Sequence, residues 1–213
     1  MLKVFGVNPS VGNVLIDEGL TPTILVGKFL MKMGKAGIDR CEAFKAEMQC
    51  IEDKDALDLI CIGIRDALDA GLRIQLVTPP EIEKSSRMSG DDMQEFLDKE
   101  LCGDLKTDLK GVGDKAVRAL KAIGCVTTWQ LLGWMLTMDT IEAFREGLID
   151  AKVMGSWRCT IVHQCVERMA EGLQVAFCIV RGIVVGYALQ QLCFGYALQQ
   201  QQPKKRLTFF KGY

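Results

Sequence analysis

The stretch that decides the fold lies in the middle of the chain and reads Leu109-Lys110-Gly111-Val112-Gly113-Asp114-Lys115-Ala116. Two glycines separated by one residue permit a sharp turn, because glycine adopts positive φ values at no steric cost. Short helical patterns flank the turn, so we expect a helix-hairpin-helix. Such a turn leaves backbone N–H groups pointing outward at the start of the second helix, which is a favourable place for a phosphate group.

Basic residues surround this turn. Residues 109–125 carry four basic side chains against the single acid Asp114, a net charge of +3. Basic side chains beside a hairpin of this kind hold a nucleic-acid backbone without reading its bases. The predicted DNA-backbone site therefore consists of Lys110, Gly111, Val112, Gly113, Lys115, Arg118 and Lys121. A simpler reading, a glycine turn with solvated lysines, fits the same residues.

Composition restricts the fold class and the kind of function. The 213 residues are 49% hydrophobic and 25% charged, with a net charge of −1, which excludes collagen-like and wholly disordered chains. Proline is scarce and strand patterns are hard to find, so we expect an all-α protein. One histidine, no nucleophile motif and no phosphate-binding Walker loop predict a protein that is not an enzyme and has no cofactor or metal.

Nine cysteines could suggest disulfide bonds, but their pattern favours free thiols. The number is odd, no two cysteines form a CxxC pair, and most lie within apolar helical patterns. The start of the chain, Met1-Leu2-Lys3, does not read as a secretory leader. We therefore expect a reducing, intracellular compartment.

The chain also contains an internal repeat. Segments 6–19, 26–30, 42–45 and 68–72 are similar, in the same order, to segments 111–124, 132–136, 142–145 and 169–173. The offset between paired segments stays between 100 and 106 positions. Such collinear matches indicate a tandem duplication. We expect a first copy at 1–76, a linker at 77–88 that starts with a proline break at Pro79-Pro80, and a second copy at 89–173.

The second copy resembles the barrier-to-autointegration factor family. The resemblance rests on Gly111-Val112-Gly113, on Leu132-Gly133 and on the stretch Phe144-Arg145-Glu146-x-Leu148-x-Asp150. It implies a small all-helical protein whose helix-hairpin-helix binds double-stranded DNA without sequence preference. Members of that family form two-fold dimers that bridge duplexes. By this resemblance, two tandem copies would pack as a pseudo-dimer within one chain.

The hairpin of the first copy is degenerate. Its counterpart residues are Gly6, Val7 and Asn8, and Pro9 follows them without an N–H group. The next helix carries acids where the second copy has basic residues. We therefore expect DNA binding in the second copy alone. The alternative is a structural or assembly protein, for example a component of a virion or nucleoprotein particle, that kept the fold and lost DNA binding. Either reading favours a nuclear or nucleoprotein-associated location.

Residues 174–213 form an apolar, glutamine-rich tail with a basic end at Lys204-Lys205-Arg206. The segment 186–191 recurs at 195–200. We expect a helix that packs or mediates self-association, alongside protein partners bound by the apolar helices. An interfacial helix is the alternative. Arg181 and the glutamines disfavour a membrane span.

Overall fold

A computed structural model describes residues 8–33 and 39–173. These residues form helices and no β-strand, which confirms the all-α prediction. Gly6 and Val7 of the first hairpin and the whole tail at 174–213 lie outside the described residues. The helices are α1 (Pro9–Asp17), α2 (Pro22–Leu30), α3 (Arg40–Glu47), α4 (Lys54–Asp69), α5 (Pro80–Ser85), α6 (Gly90–Asp98), α7 (Leu105–Asp108), α8 (Asp114–Ala122), α9 (Thr128–Leu136), α10 (Ile141–Asp150) and α11 (Gly155–Glu171).

The order of helices follows the sequence repeat. Helices α1 and α8 both have nine residues, as do α2 and α9. The next pair, α3 and α10, has eight and ten residues, and α4 and α11 have sixteen and seventeen. Gly19 and Gly124 follow α1 and α8 with φ values of +66° and +89°. The same left-handed turn therefore ends the first helix of each series.

Side-chain caps are present at the starts of α6 and α9. Ser89 accepts a hydrogen bond from the backbone N–H of Asp92 and begins α6. Thr127 and Gln130 form a capping box at the start of α9. Both caps satisfy backbone donors that the first helical turn leaves without a partner.

The predicted linker is more structured than its prolines suggested. Pro80 begins helix α5 rather than stopping one, because the first turn of a helix does not use the N–H group that proline lacks. Ile82 on α5 is 1% exposed. Thr78 donates to the carboxylate of Glu167 at 2.8 Å, and the N–H of Arg87 donates to Thr160 at 3.0 Å. The linker is therefore packed along α11.

One hydrophobic core includes residues from both halves of the repeat. The apolar residues Ile161, Cys165 and Met169 of α11, and Leu173 just after it, are fully buried. None of the helices within 8–33 and 39–173 has the length and hydropathy needed to cross a membrane.

Helices α2 and α9 cross in close contact at Gly27 and Gly133. A Cβ atom on Gly27 would lie 2.8 Å from the carbonyl oxygen of Gly133 and 2.9 Å from Cβ of Leu136. A Cβ atom on Gly133 would lie 2.5 Å from the carbonyl oxygen of Gly27 and 3.0 Å from Cβ of Leu30. A Cβ added to either glycine would thus meet the other glycine and the residue three positions after that other glycine. The contacts at the crossing are therefore reciprocal.

A second contact joins the ends of α4 and α11. The N–H of Leu173 donates to the carbonyl of Leu72 at 2.8 Å, and these two residues form an isolated antiparallel bridge. The N–H of Ile74 donates to the carbonyl of Met169, also at 2.8 Å. Backbone hydrogen bonds therefore tie the end of the first series of helices to the end of the second.

Candidate nucleic-acid interface

The predicted helix-hairpin-helix is present, with α7 and α8 joined by the loop 109–113. Gly111 has a φ of +70°, so it supplies the left-handed residue that the turn requires. Gly113 has an ordinary φ of −78° and is the N-cap of α8. Its role is to leave space, because a Cβ atom there would lie 2.8 Å from the ring of Trp157. Val112 is buried between the two glycines.

The N-terminus of α8 is open. Gly113 has no side chain with which to cap it, and the N–H groups of Asp114 and Lys115 donate to no acceptor among the described residues. The positive end of the helix dipole adds to these two donors. Lys106 pairs with Asp114 at 2.8 Å and lowers the pKa of that carboxyl group. The open N–H groups therefore lie beside an ion pair rather than a lone negative charge.

Three of the four predicted basic side chains face solvent on α8. Lys115, Arg118 and Lys121 are exposed and follow one another at intervals of three residues, so successive side chains are neighbours on the helix surface. Their cationic groups have no carboxylate oxygen within 4.0 Å in the part of the chain that the structure describes. These three side chains are free to contact a polyanion.

Lys110 has a different environment. Its ammonium group lies 2.9 Å from the carboxylate of Asp92 and also contacts Glu95, both on α6. The hydrogen bonds to Glu95 and then to Asp92 raise the pKa of Lys110. The side chain is therefore charged but neutralised by two acids, and it joins α6 to the hairpin.

The backbone of Lys110 is held by Gln164 of α11. The N–H of Lys110 donates to Oε1 of Gln164 at 2.9 Å, and Nε2 of Gln164 donates to the carbonyl of Lys110 at 2.8 Å. Gln164 also donates to the carbonyl of Thr160 at 3.3 Å. Gln164 is not among the residues predicted from the sequence, where it is marked only as a polar residue within an apolar helical face.

Two other buried polar residues support the same region. Asp108, at the end of α7, accepts hydrogen bonds from the N–H groups of Cys102 and Gly103 at 3.0 and 2.8 Å. Arg168 on α11 donates to the carbonyls of Phe96, Leu97 and Lys99 at the end of α6. A pocket of about 500 Å³ lies between α6, the hairpin and Trp157.

No protein-family model, curated protein or solved structure matched this chain. The function of this surface must therefore follow from its geometry. Within the described residues, no three His, Cys, Asp or Glu side chains are grouped to hold a metal ion.

The first copy differs at the position that corresponds to the open helix end. Asn8 caps α1, and its side chain accepts a hydrogen bond from the N–H of Val11 at 3.0 Å. Pro9 occupies the first turn and has no N–H to donate. Asp17 and Glu18, at the other end of α1, are exposed. The end of α1 is therefore already occupied by a side chain, whereas the end of α8 is not.

Proposed function

We propose that this chain is a non-enzymatic, architectural protein that binds double-stranded DNA through α8 and the loop 109–113. The open N-terminus of α8, next to the unpaired basic side chains Lys115, Arg118 and Lys121, carries the proposal. Backbone N–H groups and basic side chains are the groups that proteins use to contact DNA phosphates. Phosphates are alike at every base pair, so the affinity should not depend on sequence.

We also propose that the second half belongs to the barrier-to-autointegration factor family and that the two halves form a pseudo-two-fold unit. Residues near a two-fold axis contact their own equivalents. Gly27 and Gly133 are equivalent in the repeat and contact each other. Leu72 and Leu173 are also equivalent and form the antiparallel bridge. These two self-pairings support the two-fold arrangement.

The difference between the two hairpins predicts how many duplexes one chain holds. The second hairpin offers free N–H groups and unpaired cations, while Asn8 fills the corresponding end of α1. A monomer should therefore retain one duplex and fail to bridge two. A two-duplex pull-down with monomeric protein tests this, and bridging by verified monomers would show that the first hairpin also binds.

A gel shift with random-sequence duplexes at a series of salt concentrations tests DNA binding itself. Three phosphate contacts should give a slope of about −2.7 in log affinity against log salt. Replacing Lys115, Arg118 and Lys121 together by Glu should abolish the shift. The matched control replaces Lys54, Arg65 and Lys84, exposed basic residues of α4 and α5, by Glu. Equal losses in both triple variants would indicate that net charge, and not this surface, carries the binding.

A structural or assembly role without DNA binding is the second candidate. The observation that favours it is the neutralisation of two hairpin lysines, Lys106 by Asp114 and Lys110 by Asp92 and Glu95. Folded wild-type protein that leaves duplex DNA unshifted even at low salt would support this candidate and refute the first.

A further inference from the structure

Helix α11 presents two side chains to the hairpin. Trp157 and Gln164 are seven residues apart, so they lie on the same face of the helix, two turns from each other. Trp157 lies under Gly113, and Gln164 binds the backbone of Lys110. Both ends of the loop 109–113 therefore contact the same helix, α11.

The contact with Gln164 fixes the orientation of the loop backbone. Its carboxamide satisfies both the N–H and the carbonyl of Lys110, so it restrains the two peptide planes on either side of that residue. Gln164 is 0% exposed, so water does not compete for these hydrogen bonds. The next residue, Gly111, is the one whose backbone is freest to change conformation. Without the carboxamide, the loop would sample several orientations.

The first copy lacks both of these side chains. Helices α4 and α11 begin at Lys54 and Gly155, and both series end at glycines with positive φ, Gly71 and Gly172. Both pairs differ by 101 positions. The same offset places Ala56 opposite Trp157 and Gly63 opposite Gln164.

The contacts that Trp157 and Gln164 make with the hairpin are therefore specific to the second copy. This is the copy in which the N-terminus of the hairpin helix, α8, is open. Neither Ala56 nor Gly63 has a side chain that could reach a hairpin backbone as Trp157 and Gln164 do. The copies thus differ at two separate places in the sequence, the helix cap and the supporting helix. Both differences favour phosphate binding by the second hairpin over the first.

We infer that Gln164, together with Trp157, is a positioning residue that holds the hairpin in the orientation needed to bind phosphate. It does not contact DNA itself. It keeps the N–H groups at the start of α8 directed toward one place, so that binding does not have to order them. This inference rests on the proposed function, because it concerns the affinity of the same surface.

The test compares two buried glutamines. Gln164→Leu removes the hydrogen bonds to Lys110 at similar side-chain volume. Gln130→Leu is the matched control, because Gln130 is also buried and binds the backbone of Val126, Thr127 and Met31, none of which lies in the loop 109–113. We expect Gln164→Leu to weaken DNA binding about five- to tenfold, and Gln130→Leu less than about twofold. The salt slope should stay unchanged in both, since neither loses a cation.

A second measurement does not require DNA. The ¹H–¹⁵N heteronuclear NOE of Gly111 and Gly113 reports fast backbone motion. It should fall in Gln164→Leu and stay at the wild-type value in Gln130→Leu. If Gln164→Leu does not fold, Trp157→Phe should produce the same two changes to a smaller extent.

The outcomes separate the inference from the proposed function. Equal affinity losses in the two glutamine variants, or an unchanged NOE in Gln164→Leu, would overturn the positioning role. If the wild type binds no DNA while Gln164→Leu still shows the fall in NOE, the proposed function is refuted and the support of the hairpin by Gln164 is established. A reduced salt slope in Gln164→Leu would contradict positioning as well, because it would mean a lost phosphate contact.

Discussion

Replacing Gly133 with Ala should separate the two halves of the molecule. The added Cβ would lie 2.5 Å from the carbonyl oxygen of Gly27 and 2.8 Å from the backbone nitrogen of Met31. Backbone atoms of a helix cannot rotate away as a side chain can, so α2 and α9 must move apart. Overpacking of this kind costs up to about 3 kcal/mol. The better helix propensity of Ala returns about 1 kcal/mol, which leaves a loss of about 2 kcal/mol.

Urea and thermal unfolding measure this loss directly. For a domain of this size we expect the melting temperature to fall by about 4–8 °C. The control is Gly90→Ala, because a Cβ at Gly90 in the first turn of α6 meets nothing within 4 Å. That variant should be at least as stable as the wild type, because it gains helix propensity without a steric cost. Gly27→Ala should resemble Gly133→Ala, since its Cβ meets the carbonyl of Gly133 at 2.8 Å. Wild-type stability in both crossing variants would refute the close helix contact and, with it, the basis for the two-fold arrangement.

Three further changes test the surroundings of the hairpin. Gly113→Ala should displace the ring of Trp157, which lies 2.8 Å from the new Cβ, and cost about 1 kcal/mol; a shift in tryptophan fluorescence would show the displacement. Arg168→Met should cost about 3 kcal/mol in urea unfolding, because three carbonyls at the end of α6 lose a charged donor; a loss below 1 kcal/mol would contradict that capping role. The hydrogen bond from Ser89 and then the contact with Lys110 lower the pKa of Asp92 to about 2, so its stabilising contribution should be complete above pH 4 and disappear as the pH falls toward 2. Asp92→Asn should remove that part of the acid dependence of unfolding, and an unchanged acid profile would contradict it.

Features that depend on a few adjacent residues could be predicted from the sequence. The positive φ predicted for the glycine turn is confirmed at Gly111, and the caps at Ser89 and Thr127 and the burial of Phe144 are of the same local kind. Each follows from local chemistry: a positive φ, a side-chain oxygen before a helix, or an apolar residue at helical spacing. Pro80 is a partial exception, because a proline can either interrupt a helix or begin one, and the sequence does not distinguish the two. In the structure Pro80 begins α5, whose Ile82 is buried.

Features that depend on distant residues could not be predicted in this way. Gln164 is 54 positions from the Lys110 backbone that it binds, and Arg168 is 69 to 72 positions from the carbonyls that it caps. The predicted DNA-backbone site also included Lys110 together with the three basic residues of α8, because nothing near Lys110 in the sequence shows that Asp92 and Glu95 of α6 reach it. Such pairings exist only after the helices have packed.

The two hairpins differ in their helix caps as well as in their charge. From the sequence, Pro9 and the acids in α1 predict a weaker first hairpin. In the structure, the side-chain oxygen of Asn8 also accepts a hydrogen bond from the N–H of Val11 at the start of α1. A cap stabilises a helix by occupying the donors that an anion would otherwise use. The start of α1 is therefore capped by a side chain and the start of α8 is not, while Gly27 of the first copy still provides half of the helix crossing with Gly133.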